Sequence, residues 1–273
     1  MTTPTTAHTT VPPLVAAADT VTTTYADALA PLMRLAARSV EHPPTVEAGL
    51  AAVAHLCTAA ATEIDRVMRL MLIELHGSGV KLPKLARLLG VRKGLLEKKL
   101  FNFDTWPTAA AAAEIGPGAY THRDKVSTRC ARESLIAAAG NVGVAYADAL
   151  RPLSRLSQGG VPTAATVDAA LEAVVHLHRS RTALDAALDP VLAALVLGGV
   201  KRKALAEVLD CHAHTLQRRL LDQPLAHARH VDLVNGGDGT WSVERAAVGR
   251  YAAVDDDFDI EAAMADAVTG YTH

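Results

Sequence analysis

"GVKLPKLARLLGVRKGLLEKKLF", Gly79 to Phe101, returns in altered form 120 residues later as "GVKRKALAEVLDCHAHTLQRRLL", Gly199 to Leu221. Each stretch holds two short apolar-periodic runs separated by only two residues, the spacing of a helix-turn-helix. The first predicts helices over 83–89 and 92–101 about a turn at Gly90-Val91. Ala86 is small enough for the helices to cross closely, Gly90 accepts the left-handed backbone of the turn, and Val91, Leu96 and Leu100 point inward. In the second stretch Ala206, Leu209, Cys211, Leu216 and Leu220 repeat the pattern. Asp210 replaces the glycine, and Asp visits the left-handed region more readily than most residues.

The repetition extends outward. A shift of 121 residues aligns "YADALAPLMRL", Tyr25 to Leu35, with "YADALRPLSRL", Tyr146 to Leu156, and then "TVEAGLAAVAHL" from Thr45 with "TVDAALEAVVHL" from Thr166. Between Leu56 and Thr62 the shift falls to 120, and the match continues through Asp65/Asp185 and Gly79/Gly199. An internal duplication of units of about 80 residues explains this. Within a unit, Leu29, Leu32, Leu35 and Ala36 predict a short first helix in which Pro31 marks a kink or a fresh start. Thr45 is a candidate N-cap for the next segment, one long helix or two nearly collinear ones, ending at the glycines.

The expected fold is therefore mainly all-α: two tandem helical modules, each ending in a helix-turn-helix. Residues 1–20 read as a mobile arm and 21–104 as module 1, with its helix-turn-helix at 80–101. A connector covers 105–141, module 2 covers 142–223 with its helix-turn-helix at 200–221, and 224–273 is a C-terminal extension with an acidic tail at Asp255–Asp259. In the connector "STRCARESLIAAAGN" reads as a helix begun by a Ser cap. "NGGDG", Asn235 to Gly239, joins either a short β-hairpin, which would form a wing beside the second recognition helix, or two arms of a plain loop.

Composition supports helices, since half the residues are hydrophobic and only 4% aromatic. A net charge of −2 gives no global sign of a nucleic-acid binder, so such a function must rest on local clustering. Three scattered cysteines argue against a disulfide framework or zinc ribbon and for a reduced, cytoplasmic setting. No run approaches a membrane span, and the N-terminus lacks the pattern of an export signal.

The clustering is present in the two opening stretches. The first holds Lys81, Lys84, Arg87, Arg92, Lys93, Lys98 and Lys99 against Glu97 alone. With Leu96 and Leu100 inward, Lys98 and its neighbours take the opposite face, and Arg92 and Lys93 sit at the helix N-terminus, which suits phosphate. "ARLLGVRKGLLEKKL" and "AEVLDCHAHTLQRRL" resemble the Fis-type helix-turn-helix, over about 20 residues per copy, and are similar to units common in actinobacterial regulators. The resemblance implies base-facing positions at Arg92, Lys93, Leu95, Glu97 and Lys98, and at His212, Ala213, His214, Thr215, Gln217 and Arg218. Lys81, Lys84 and Lys99 in the first copy, and Lys201, Arg202, Lys203 and Arg219 in the second, complete the expected DNA-binding set.

Competing readings are plainer. A helix-turn-helix can be a packing element only. Cys211, His212 and His214, or His176 and His178, diverge on a helix and lack a fourth ligand, so no metal and no cofactor is expected. His55 and His176 read as core histidines, and Trp106 and Trp241 as buried packing residues. Neither a nucleophile–base order nor a phosphate loop appears, so no enzyme is expected. The reading is a sequence-specific regulator of double-stranded DNA, a repressor of bacterial, phage or plasmid origin, with a homodimer through the long helices left open and the effector unknown. Its rivals are an architectural or DNA-packaging subunit and a ligand-sensing regulator.

Overall fold

The computed structural model describes residues 13–38, 43–106, 115–159, 165–227, 231–236 and 241–245. They are mainly helical, with one small antiparallel sheet near the C-terminus. The frame is made by α1 (Pro13–Ala36), α2 (Val46–Cys57), α3 (Ala59–Gly77), α6 (Lys125–Ser157) and α7 (Thr166–Leu197). Helix α6 lies against both α7 and α1, and α1 packs in turn on α3. Leu14, Ala18, Val21, Ala28, Leu32 and Leu35 of α1 recur at intervals of three, four or seven residues and are buried, the stripe that a helix offers to a core. No helix among the described residues is long and apolar enough to cross a membrane.

Helix α1 is longer than expected. Residues 13–20, read as part of an arm, form its first turns, and Leu14 and Ala18 are buried there; residues 1–12 lie outside the described residues. Likewise α6 starts inside the expected connector and runs without a break into module 2, through the boundary placed at 142. Its cap is Asp124 rather than a serine: the carboxylate accepts from the Ser127 amide at 2.8 Å and from the Ser127 hydroxyl at 2.6 Å. Both extensions obey the same 121-residue shift, since Leu14-Val15-Ala16-Ala17-Ala18 aligns with Leu135-Ile136-Ala137-Ala138-Ala139. The duplicated unit thus begins upstream of Tyr25. Pro31 and the equivalent Pro152 lie inside continuous helices and start no new ones.

Downstream, the one-residue difference between the copies has a visible consequence. Thr45 caps α2 as expected, accepting from the Ala48 amide at 3.1 Å. The first copy carries the extra residue and breaks at Thr58 (φ −116°, ψ −88°) into α2 and α3, whereas the second copy is the unbroken α7.

The contacts between equivalent residues fit an approximate two-fold relation of the copies. Tyr25 and Tyr146, equivalent under the repeat, touch each other with ring centroids 5.9 Å apart. Equivalent residues meet across a shared boundary when a two-fold axis passes between them, as in the isologous interface of a homodimer. Helices α1 and α6 are equivalent over 13–36 and 134–157 and pack together by the same logic.

Two further segments tie the C-terminal part down. Residues of the expected connector form an isolated bridge, Tyr120 to Val200; the Thr121 amide donates to the Gly199 carbonyl and the Lys201 amide to that of Ala119, both at 2.8 Å. The β-hairpin pairs β1 (Val231–Asn235) with β2 (Trp241–Arg245). It is seated on α6 and on the 3-10 turn Pro224–His227, with Trp241 Nε1 donating to Glu133 at 2.9 Å. Of the expected turn, residues 237–239 lie outside the described residues, as does the acidic tail at 255–259.

Candidate nucleic-acid interface

Helices α4 (Leu82–Leu88) and α5 (Lys93–Phe101) form one helix-turn-helix; α8 (Arg202–Val208) and α9 (Ala213–Arg219) form the other. The turns are built by backbone hydrogen bonds. The Val91 amide donates to the Ala86 carbonyl and the Gly90 amide to that of Arg87; Cys211 to Ala206 and Asp210 to Glu207 repeat the pair. This is the Schellman arrangement, which requires a left-handed residue after the helix. Gly90 (φ 65°) and Asp210 (φ 47°) both adopt it. The glycines that end the preceding helices, Gly79 (φ 100°) and Gly199 (φ 105°), do the same. Leu96, Leu100, Leu216 and Leu220 are buried, fixing which face of α5 and α9 turns outward.

On that outward face the structure exposes Lys81, Lys84, Arg92, Lys93, Glu97, Lys98 and Lys99 of the first copy, and Lys201, Lys203, His212, His214, Thr215, Gln217 and Arg218 of the second. Leu95 is also exposed, as is Ala213. None of these cations is in an ion pair among the described residues.

Two expected DNA-binding residues are engaged within the chain instead. Arg202 is half-buried and donates to the Ala226 carbonyl at 2.9 Å. Arg219 is 27% exposed, paired with the Asp189 carboxylate, and donates also to the Asp185 carbonyl. The first copy holds the same pair of positions with reversed polarity. There Arg69, equivalent to Asp189, is salt-bridged to Asp65 and donates to the carbonyl of Lys99, the equivalent of Arg219. The second helix of each helix-turn-helix is therefore clamped to its long helix by one arginine, and Lys99 of the first copy is exposed.

Between the two helix-turn-helix elements, on the approximate two-fold axis, lies a cavity of about 500 Å³. Its walls come in equivalent pairs: Leu56 and Leu177, Met68 and Leu188, Leu96 and Leu216. The paired tyrosines form part of it, with Cys57 and Arg181 beside them. Burial raises the pKa of both phenols, opposed by the nearby Arg181 guanidinium. Burial likewise pushes the Cys57 thiol up to about 11, against the pull of Arg219. All three groups are thus neutral near pH 7. Sequence reasoning had not singled these residues out, although the identity of Tyr25 and Tyr146 across the repeat was a signal for them.

The histidine expectation is corrected. His55 is only half-buried and His176 is exposed, so neither is a core histidine. Trp106 is half-buried, its ring tilted against that of Phe103 with centroids 5.0 Å apart, and the Arg69 guanidinium lies 5.7 Å from its ring centre. Trp241, also half-buried, has the Arg129 guanidinium 6.0 Å from its ring centre. Among the described residues no three His, Cys, Asp or Glu side chains are grouped to hold a metal ion.

The fold and this face define a class, an internally duplicated α-helical protein with two helix-turn-helix elements flanking a two-fold axis. No family model, no curated protein and no solved structure matches the chain.

Proposed function

We propose that this chain is a sequence-specific double-stranded DNA-binding regulator, a repressor acting in the cytoplasm, which uses both helix-turn-helix elements of one chain. The observation that carries the reading is the exposed, unpaired basic surface of the two elements. Gly79–Phe101 exposes seven basic residues against Glu97, and Gly199–Leu221, with Arg202 and Arg219 engaged within the chain, exposes Lys201, Lys203 and Arg218 against two acidic residues. Unpaired cations on one surface are what phosphate contacts require, since their binding releases counterions from the duplex. The exposed Gln217 and Arg218 add side chains able to read adenine or guanine edges in the major groove.

The copies share their buried leucines but differ at nearly every outward position, "RKGLLEKK" against "HAHTLQRR". Two recognition helices on either side of a two-fold axis would suit a palindrome if they were identical; divergent ones suit an asymmetric site. The first copy, with Leu95 and Glu97 outward, leans on phosphates, and the second carries more of the base reading.

Lys98→Ala and Arg218→Ala test this by electrophoretic shift, with circular dichroism to show that the helices persist. Loss of a base contact should cost about 1–3 kcal/mol, and loss of a phosphate contact should mainly reduce the salt dependence. Unchanged affinity and salt slope in both variants would refute the assignment of these faces to DNA.

A further inference from the structure

We infer that the cavity on the two-fold axis is a binding site for a small amphipathic organic anion, an apolar or aromatic body carrying one carboxylate or sulfonate. The volume, about 500 Å³, falls in the range of sites that hold drug-sized molecules. Its walls are mostly aliphatic, and Tyr25 and Tyr146, two neutral phenols in contact with each other, add aromatic surface and hydroxyl groups to the lining.

The charges that face the cavity set the sign of the ligand. Arg69 is paired with Asp65 and Arg219 with Asp189. What remains on the lining is Lys99 and Arg181 against Asp185, a surplus of one positive charge, with His178 alongside. Arg181 is exposed, makes no ion pair among the described residues, and lies close enough to both phenols to oppose the rise in their pKa. A mostly apolar lining that carries an exposed, unpaired guanidinium is complementary to an apolar body ending in an anion.

Arg181 also breaks the symmetry of the site. Its equivalent in the first copy is Ala61, which lines the cavity as well. A ligand on a true two-fold axis would have two equal orientations; Arg181 beside the phenols, with no charged counterpart in the first copy, favours one of them.

The test uses two dyes that share one hydrocarbon skeleton, 1-anilinonaphthalene-8-sulfonate and the uncharged N-phenyl-1-naphthylamine, titrated into the full chain by fluorescence. Expected is saturable binding of the sulfonate at one molecule per chain. Arg181→Gln should weaken it by about tenfold or more, the scale of a charge-assisted contact, while leaving the uncharged dye within about twofold. Ala61→Trp, which fills the cavity, should abolish both; if that variant loses its cooperative melt, Thr215→Trp on the same lining replaces it. Equal weakening of both dyes by Arg181→Gln, undiminished binding in a folded cavity-filled variant, or no saturable sulfonate binding would overturn the inference. No DNA enters these titrations, so the site stands or falls separately from the proposed function.

Discussion

Leu216 and Leu220 lie four residues apart, at the centre and the C-cap of α9, and both are 0% exposed. Replacing either with alanine removes the same atoms, yet the expected losses differ. Three buried methylene equivalents at about 0.8 kcal/mol each set a transfer loss of about 2.4 kcal/mol for both. A second contribution arises only where an enclosed void is left, growing with its volume. Leu216 borders the existing cavity, so its truncation enlarges a space already open to solvent, and Leu216→Ala should stay near about 2–3 kcal/mol. Leu220 does not line that cavity, and Leu220→Ala should reach about 3–5 kcal/mol. In a chain of this size each kcal/mol moves the melting midpoint by about 2–4 °C, so the two variants should be distinguishable by circular dichroism or by urea titration. Wild-type melting in both would show that the inward face of α9 is wrongly assigned. A larger loss for Leu216→Ala would show that the cavity does not reach that side chain.

Further outcomes concern the turns, the clamp and the caps. Gly90→Ala should cost about 1–2 kcal/mol in urea titrations from its left-handed backbone alone, because an added Cβ meets nothing within 4 Å; Asp210→Gly should be neutral or stabilising. Asp189 has its carboxyl raised by burial against the pull of Arg219. Its contribution to stability is therefore greatest at low pH and declines as pH rises from about 3.9 through the raised folded value. Wild type should accordingly lose ground to Asp189→Asn over that window in urea titrations, and a constant difference would contradict the burial. Asp124, held below the usual carboxylate range by hydrogen bonds from Ser127, behaves oppositely: its stabilisation is full above about 3.9 and lost as pH falls through its lowered value. Asp124→Ala should cost about 1 kcal/mol at neutral pH and little at pH 2–3, read from thermal melts.

Local features were the legible ones. The helix-turn-helix pairs, the left-handed Gly90 and Asp210 and the Thr45 cap each depend on residues within a few positions of one another, so residue type and spacing suffice to place them. The start of α1 was hidden because "PLVAAADTVTTT" has few large side chains, and it is helical through contact with α6, far away in sequence. Continuing the 121-residue alignment upstream to Leu14/Leu135 would have exposed it. His176 was misplaced because its sequence neighbours Val175 and Leu177 are buried, whereas successive residues of a helix stand about 100° apart, which turns His176 outward. In the candidate site, basic residues were visible but their partners were not: Arg219 and Lys99 look alike in sequence, and only the packing of α9 on α7 directs one of them to a carboxylate. The cavity was invisible for the same reason, since its walls come from both copies and exist only once the two-fold arrangement has formed.

The central claim, one chain reading one asymmetric DNA site with two different recognition helices, is tested most directly by selecting duplexes from a random pool with the full chain and then measuring the stoichiometry on the enriched site. The expected result is a non-palindromic motif bound by a single chain. A palindromic motif bound by two chains would contradict it, as would a pool that shows no enrichment.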